Sequence, residues 1–394
     1  MEPMLRFKAD DGSNFPDWEE ITLGDMCVFV RNGYTYSSDG SRNHRYKLTR
    51  IESISGGVID DEKLGSSDEI DPRYRLADGD ILFSNINSLS YLGNVARYTN
   101  DLGEIYHGMN LLCIRPRANE INSIFLFELL GTSRIRRYEI THAKAAVNQC
   151  SLPPSDVKAM SLYCPALPEQ RKIADLLSAI DDVIAAQEAE VAAWEKRKKG
   201  VMQKLFSQEV RFKADDGSDF PDWEEKTLGD ICMYERQRSE GANFVGTENM
   251  LKDFGGVTFD NSNADDSGTL YHPGDTLMSN IRPYLKKAWL ADRKGTCSTD
   301  VLVFHPTSVE PGYLYWLIAS DAFVRYVMSA AKGSKMPRGD KKHIMEMPLL
   351  LPNKDEQRKI DDCLSSLNDV IIKAKNELAK WQELKKGLLQ QMFV

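Results

Sequence analysis

The chain contains one long amphipathic segment twice, and this duplication limits what it can fold into. Residues 169–206 align with residues 356–393 without a gap, and 19 of the 38 positions are identical. A gapless match of that length indicates one uninterrupted element, so each segment is predicted to be a single helix. The fold must therefore accommodate two long, matching helices.

Apolar residues recur at alternating spacings of three and four in both segments, which is the pattern of a coiled-coil seam. The seams predict that the helices pair as a spacer, formed by Leu177, Ile184, Val191 and Trp194 of the first and Leu364, Ile371, Leu378 and Trp381 of the second. Each seam also has a lysine four residues after its tryptophan, Lys198 and Lys385. Gly200 and Gly387 interrupt the helices at a cost of about 1 kcal/mol each, which predicts a kink or a close neighbour there.

A second repeat precedes each half of the chain. The sequence RFKADDGSNFPDWEEITLGD at residues 6–25 returns at residues 211–230 with two substitutions. Its shift along the chain is 205 residues, against 187 for the helices, so the first half is 18 residues longer between its linker and its helix. Such length changes are expected in surface loops over a common core.

Weaker matches between the halves indicate that core. A helical, aromatic-rich stretch occurs in each half, at residues 123–140 and 312–330, in which we pair Phe127 with Trp316 and Arg136 with Arg325. Apolar runs predicted as buried strands, including one that closes each half, lie at residues 79–86, 111–116 and 160–167 and at residues 274–281, 301–306 and 344–351.

The order of these pieces predicts an α/β (α+β) fold in which two pseudo-symmetric globular domains are joined by two long antiparallel coiled-coil helices. Connectivity places a domain at each end of the rod and the N-terminal linker beside the end of the second helix. The predicted pieces are a linker at 1–25, a domain at 26–167, a helix at 168–206, a repeated linker at 207–230, a domain at 231–354 and a helix at 355–394.

The net charge of −9 does not exclude nucleic acid once it is divided along the chain. Residues 1–25 carry 2 basic and 7 acidic side chains, and residues 207–230 carry 3 and 8, so the two linkers hold the acidic excess. The seven cysteines are scattered without metal-ligand spacing and are expected to be reduced core residues. No signal core or membrane span is visible, so we expect a cytoplasmic protein without membrane contact.

Catalytic motifs are missing from the sequence. It has no GxxxxGK[ST] phosphate loop, no GxGxxG after a strand, no Asn/Asp-Pro-Pro-Tyr/Phe tetrad and no paired histidines. The carboxylates and lysine of PDWEEK suggest a nuclease cluster only superficially, because the first copy has Ile21 in place of Lys226. We therefore expect no catalytic, metal or cofactor site in this chain.

Basic and aromatic residues cluster in the otherwise neutral domains, as a phosphate-binding surface requires. Arg, Asn and Gln can read base edges while Lys mostly contacts phosphate. Asn43, Asn148, Gln149 and Arg338 are the predicted base-edge readers. The other predicted DNA contacts are Arg42, Arg45, Tyr46, Lys47, Arg134, Arg136, Arg282, Lys286, Lys287, Lys335, Lys341 and Lys342.

The repeated segments resemble those of a known family, the specificity (S) subunits of type I restriction-modification systems. The resemblance rests on PEQRKIADLLSAID and DEQRKIDDCLSSLND at the helix heads, on KKGVMQKLF and KKGLLQQMF at their ends, and on the duplicated linker. It implies two target recognition domains, each reading half of a split site in double-stranded DNA. It also implies a helical spacer that docks two methyltransferase subunits, with restriction (helicase-nuclease) subunits joining them. S-adenosylmethionine, ATP and Mg would then belong to those partners.

Two other functions remain open from the residues alone. A coiled-coil adaptor with two ligand-binding domains and no DNA would explain the helices, but it leaves the basic clusters unused. A fused nuclease or methyltransferase of the same defence type is the other alternative, and the absence of catalytic motifs from the sequence disfavours it.

Overall fold

A computed structural model of the chain describes residues 3–36, 45–145, 149–241, 243–259 and 267–393. The chain divides into two units. Unit 1 comprises Met1–Glu188 and Asn376–Val394, and unit 2 comprises Ala189–Lys375. Each long helix therefore begins in one unit and ends in the other, whereas the predicted pieces treat the helices as separate segments.

The first half of the chain contains these elements: β1 Glu19–Thr22, β2 Cys27–Asn32, β3 Tyr46–Leu48, β4 Gly65–Ser67, β5 Ile81–Phe83, β6 Ile86–Asn87, β7 Val95–Arg97, β8 Leu112–Pro116, α1 Ser123–Leu130, α2 Ser133–His142, β9 Lys144–Ala145, β10 Cys150–Ser151, α3 Pro154–Lys158, β11 Ser161–Cys164 and α4 Leu167–Phe206. The second half contains β12 Glu224–Thr227, α5 Leu228–Ile231, β13 Cys232–Tyr234, β14 Arg238–Ser239, β15 Gly268–Tyr271, β16 Thr276–Ser279, β17 Ala288–Leu290, β18 Gly295–Cys297, β19 Val301–Pro306, α6 Pro311–Ile318, α7 Asp321–Ser329, α8 Lys341–Met345, β20 Pro348–Leu351 and α9 Lys354–Met392.

The two units share one sheet topology. A four-stranded antiparallel sheet has the order β2-β8-β5-β7 in unit 1 and β13-β19-β16-β17 in unit 2. Alternate strand residues face opposite sides, so Ile81 and Phe83 join one core of unit 1 while Leu82 joins a second. The linker strands β1 and β12 pair with the closing strands β11 and β20. The predicted pseudo-symmetric α/β fold is confirmed.

The long helices pair in opposite directions within each unit. In unit 1, Lys385 lies 2.8 Å from Asp181 and Gln382 lies 3.4 Å from Glu188. Residue numbers fall along α9 as they rise along α4, so the two helices are antiparallel. Of the eight predicted spacer residues, Leu177, Val191, Leu364 and Ile371 are buried and the other four are half-buried. The predicted antiparallel coiled coil is thus confirmed. The expected close neighbours of the helix glycines are wrong, since among described atoms none lies within 4 Å of a Cβ built at Gly200 or Gly387.

Two sequence expectations about the domains need correction. The single helical stretches are each two helices, and the second begins after a cap such as Ser320, whose hydroxyl accepts from the Phe323 N–H at 3.0 Å. The repeat alignment is also wrong by one residue there. Asn122 and Glu310 are the equivalent helix caps, since the N–H of each donates to a glutamine at the head of its long helix at 2.8 and 2.9 Å. Trp316 therefore corresponds to Glu128, and Phe127 does not.

The closing segment of the second half also differs from its expected structure. Residues 344–351 were expected to be extended throughout, but α8 continues to Met345 and the strand β20 starts only at Pro348. The cap Asp340 explains the helix, because its carboxylate accepts from the Lys342 and His343 N–H groups at 3.0 and 3.2 Å. The expected position of the N-terminal linker is confirmed, since the Leu5 N–H donates to the Gln391 carbonyl at 3.0 Å.

Candidate nucleic-acid interface

Both repeated linkers clamp the head of the long helix in their own unit. Arg6 donates two hydrogen bonds to the carboxylate of Glu169 on α4, at 3.1 and 2.8 Å. Arg211 binds Glu356 on α9 at the same two distances, and these bonds raise the pKa of Arg211. Both glutamates are fully buried. The linker is repeated almost unchanged because the same charged clamp holds each helix head.

The two clamps differ in one polar atom. Trp223 donates from Nε1 to Oε2 of Glu356 at 2.9 Å. In unit 1, Nε1 of Trp18 is buried and has no hydrogen-bond partner among the described residues. The first glutamate therefore depends more on its arginine than the second does.

The acidic side chains of the linkers project into solvent. Asp10 pairs with Lys172 of α4, and Asp215 pairs with Lys359 of α9, both at 2.5 Å. Yet the two aspartates stay 94% and 95% exposed. Each unit therefore presents the same acidic surface beside its helix head.

The seam lysine of unit 1 is held by two carboxylates. Nζ of Lys385 lies 2.9 Å from Glu128 and 2.8 Å from Asp181. Burial lowers the pKa of Lys385, but its bonds to Asp181 and Glu128 outweigh burial and raise it. Burial raises the pKa of Glu128, against the effect of Lys385.

The equivalent lysine of unit 2 has neutral partners. Nζ of Lys198 donates to the Asn368 amide oxygen at 3.0 Å and lies 5.5 Å from the centroid of the Trp316 ring. Burial lowers the pKa of Lys198. The seam lysine therefore pairs with carboxylates in unit 1, whereas the equivalent lysine in unit 2 contacts a neutral amide and an aromatic ring.

In unit 2, two of the predicted basic clusters lie together. The loop that joins β16 to β17, residues 280–287, is bridged to the segment at residues 332–338 through Ile281 and Arg338. The Arg282 N–H donates to the Pro337 carbonyl at 2.8 Å. Clusters that are about 50 residues apart in sequence thus form one surface.

Most cations on this surface already have partners. Lys286 pairs with Asp321 of α7 at 2.8 Å, Lys287 donates to the Thr247 carbonyl at 2.7 Å, and Arg338 lies 3.2 Å from Asp300. The predicted contacts at the start of α8 are exposed, and Lys342 lies 3.6 Å from Glu346. Lys335 and Lys341 are also exposed, and neither forms an ion pair with a described residue.

Electrostatics also fix the start of α8. Lys332 lies 2.8 Å from Asp340, and this bond, together with the N–H groups that Asp340 caps, lowers the pKa of Asp340 to about 2. Asp321 has two lysine partners, Lys199 at 2.7 Å and Lys286, which lower its pKa to about 2. Both carboxylates are therefore ionised at neutral pH and hold the helices beside the basic surface.

Unit 1 has the corresponding loop at residues 85–94. Its strand β6 pairs with β10, which follows the predicted base-edge reader Gln149, itself exposed. Arg136 donates to the Leu89 and Leu92 carbonyls and pairs with the buried Glu139 at 3.0 Å. Burial raises the pKa of Glu139 to about 7. Arg136 thus anchors the loop, and its DNA contact stays a prediction.

The remaining predicted DNA contacts of unit 1 that the structure describes lie outside β6 and β10. Tyr46 and Lys47 lie on β3, which pairs with β4, and Lys47 is 2.7 Å from Asp61. Arg45 lies over the Tyr46 ring, with its guanidinium 5.1 Å from the centroid. Arg134 likewise lies 4.6 Å from the centroid of the Tyr163 ring on β11. Arg42, Asn43 and Asn148 lie outside the described residues.

Exposed apolar side chains at both loops were missed by the sequence analysis. Tyr284 is 48% exposed in unit 2, and Leu89 and Tyr91 are 48% and 49% exposed in unit 1. The sequence does mark where these two loops begin. Both loops follow a shared Ser-Asn-Ile, after which the next residue is Asn87 in one copy and Arg282 in the other.

The described part of the chain holds no group of three or more His, Cys, Asp or Glu side chains arranged for a metal ion. None of its described helices is both long and apolar enough to cross a membrane. The cysteines are free, and all but the half-buried Cys363 are buried.

Comparison with known proteins gives one family. The model of the type I restriction modification DNA specificity domain matches residues 16–193 and 221–381. A Methanocaldococcus jannaschii chain named as a type I restriction enzyme MjaX specificity subunit is 38% identical over 57% of this chain, a match that spans only 55% of that relative. The MjaVIII specificity subunit from the same organism is 21% identical over 98% of this chain and 95% of its own length.

Two solved structures have a similar fold. The type I restriction-modification S subunit from M. genitalium aligns over 100% of this chain and 99% of its own, with a TM-score of 0.62 at 15% identity. A chain from a type I R-M system, solved for its complex assembly and conformational transition, aligns over 96% of this chain and 98% of its own, with a TM-score of 0.56 at 19% identity.

Proposed function

The chain belongs to the family of type I restriction modification DNA specificity domains, and we propose that it is the specificity subunit of such a system. In this proposal it does no chemistry. Unit 1 and unit 2 each read one half of a bipartite site in double-stranded DNA. The observation that carries the proposal is a duplicated frame whose two loops diverge directly after the shared Ser-Asn-Ile.

The repeated frame supports the docking of two methyltransferase (modification) subunits. Two copies of one partner require two equivalent surfaces, and the clamped helix heads with their exposed aspartates supply them. The acidic linkers would then face the partners and not DNA. Restriction (helicase-nuclease) subunits would complete the complex, and S-adenosylmethionine, ATP and Mg would be bound by the partners. We place the complex in the cytoplasm, where its DNA substrate lies.

The paired helices are proposed to set the distance between the half-sites. Each helix starts in one unit and ends in the other, which supports a spacer role for the pair. Two readers on one face of DNA should be about one turn apart, roughly 10 bp. Replacing Trp194 and Trp381 together by alanine should weaken assembly and loosen the half-site spacing, while each unit stays folded. If spacing and assembly are both unchanged, the spacer role is wrong.

Selection from random duplex pools tests the function. The chain is assembled with a methyltransferase subunit, bound duplexes are sequenced, and the chain alone serves as the comparison. Enrichment of a split motif is expected for the complex. No enrichment would favour a coiled-coil adaptor that binds no DNA, and methylation by this chain alone would favour a fused enzyme.

A further inference from the structure

We propose that Arg282 reads a guanine in the half-site of unit 2, through the paired donors of its guanidinium. This inference rests on the proposed function and names a side chain that sets its specificity. A guanidinium matches O6 and N7 of guanine in the major groove, whereas a lysine ammonium cannot make that paired contact. Three features of the loop at residues 280–287 support this role.

The first feature is its backbone. Arg282 and Lys286 are both left-handed, with φ of 50° and 53°, and they flank a short 3-10 turn at Pro283–Leu285. Residues other than glycine adopt this backbone conformation only at an energetic cost, so contacts with the surrounding structure must stabilise it. Hydrogen bonds do so, from the Arg282 N–H to the Pro337 carbonyl at 2.8 Å and from the Phe254 N–H to the Lys286 carbonyl at 2.6 Å. The backbone of the loop is therefore held by hydrogen bonds within unit 2 itself.

The second feature is an unused guanidinium. Arg282 has no side-chain hydrogen bond or ion pair with a described residue, and its Nε is buried without a partner. Arg338, by contrast, donates to Asp300 from both Nε and Nη2 at 3.2 Å. The backbone of the half-buried Arg282 is held in place, while its guanidinium has no acceptor in the described part of the chain, so the outer nitrogens Nη1 and Nη2 remain for a ligand. On this surface the guanidinium of Arg282 is thus better placed than that of Arg338 to read a base.

The third feature comes from the other copy. Asn87 stands at the position of Arg282, but its amide is closed within its own loop. Its Nδ2 donates to the Ser84 hydroxyl at 3.2 Å, and its Oδ1 accepts from the Ser88 N–H at 2.8 Å. One position of a shared frame therefore carries an open reader in unit 2 and a satisfied side chain in unit 1. Such a difference is expected if the two half-sites differ in sequence.

The test compares Arg282→Lys with Lys335→Ala in the complex with the methyltransferase subunit. Arg282→Lys keeps the charge and the backbone strain but loses the paired donors. It should reduce discrimination at one base pair of one half-site by roughly 5- to 150-fold. Lys335→Ala should instead weaken binding to all sequences about equally. It should also reduce the slope of log affinity against log salt concentration by about 1, as expected for the loss of one phosphate contact. Affinities for duplexes substituted at each position measure both effects.

The outcomes are separable. If wild-type complex selects a split motif and Arg282→Lys selects the same motif with unchanged discrimination, the reading role is wrong while the proposed function stands. If wild-type complex selects no motif, the proposed function fails first. Hydrogen exchange of residues 280–287 shows whether the loop is retained in the variant. A retained loop with the full motif would overturn the proposal, and Arg282→Gln offers a second, uncharged variant expected to lose the same base preference.

Discussion

Replacing Lys385 with methionine should destabilise unit 1 much more than the same change at Lys198 destabilises unit 2, although the two lysines are equivalent in the repeat. Methionine keeps the length of the apolar stem and removes the ammonium. In unit 1 this leaves Glu128, whose side chain is 6% exposed, without its counter-charge. In unit 2 it leaves only the neutral amide of Asn368 and the ring of Trp316.

The two costs can be bounded. Removing one partner of a buried ion pair costs about 3–5 kcal/mol, and the 20% exposure of the Lys385 side chain places this pair near the lower bound. A swap that conserves volume costs at most about 1.5 kcal/mol. Since burial lowers the pKa of Lys198, losing that charge also removes a desolvation cost. The variants should therefore differ by about 2 kcal/mol in unfolding free energy.

The larger cost should also depend on pH, because a carboxyl group can take up a proton. Burial already raises the pKa of Glu128 in the folded chain. A carboxyl whose folded pKa exceeds its unfolded value stabilises fully below the unfolded pKa, and this contribution is lost as pH rises through the folded pKa. Without Lys385 the pKa rises further and the loss grows. The Lys385→Met variant should therefore be destabilised more near about pH 8 than near about pH 5.

Hydrogen exchange followed by mass spectrometry can assign the effect to a unit, since exchange reports local opening. Faster exchange is expected in α1 and in residues 376–393 for Lys385→Met, while Lys198→Met leaves α6 nearly unchanged. Adding Glu128→Gln to Lys385→Met should recover most of the lost stability. Equal costs for the two lysine variants, or the same cost at both pH values, would refute the reasoning.

Arg6→Ala should lower the unfolding free energy by about 1.5–3 kcal/mol more than Arg211→Ala, because Trp223 still donates to the buried glutamate of unit 2; thermal unfolding measures both, and equal losses would contradict this. Gly387→Ala should raise stability by about 1 kcal/mol, since no described atom crowds the new methyl group; a lower urea midpoint would count against it. Glu139→Gln should flatten the pH dependence of hydrogen exchange in loop 85–94 around pH 7. Burial raises the Glu139 pKa to about 7, so its stabilising effect is lost as pH rises through that value; an unchanged profile would exclude this cause.

Repetition explains why so much of the fold is predictable from the sequence. A helical seam or a linker strand that occurs twice, at constant spacing, is unambiguous even where one copy alone would not be. The breaks at Gly131 and Ala319 are not predictable in that way, because the apolar pattern continues across them. In unit 2 the start of the next helix is marked by the Ser320 cap. The sequence alignment of the two domains was wrong by one residue for a related reason. It matched aromatic residues, Phe127 with Trp316, where the frame instead exchanges a carboxylate for an aromatic ring.

The candidate interface is predictable only as a set of charges. Sequence places Arg282 and Arg338 in separate clusters, and only the isolated β-bridge between Ile281 and Arg338 shows that they share a surface. The sequence also cannot show that Arg136 donates its hydrogen bonds to carbonyls of its own unit, since that depends on how α2 packs on the loop. Which cations are left without a partner is a tertiary property. For this reason charge clustering alone cannot rank the candidate contacts.

Two positions at which the copies differ in chemistry have different expected effects because of where they lie. Glu128 and Trp316 face a lysine inside the frame, so exchanging one for the other changes stability and leaves the outer surface alone. Asn87 and Arg282 lie on loops that reach solvent, where a change in donors alters what can be bound. The duplicated frame therefore contains its own control. Variants of the first pair should change unfolding and not base preference, whereas Arg282 variants should do the reverse.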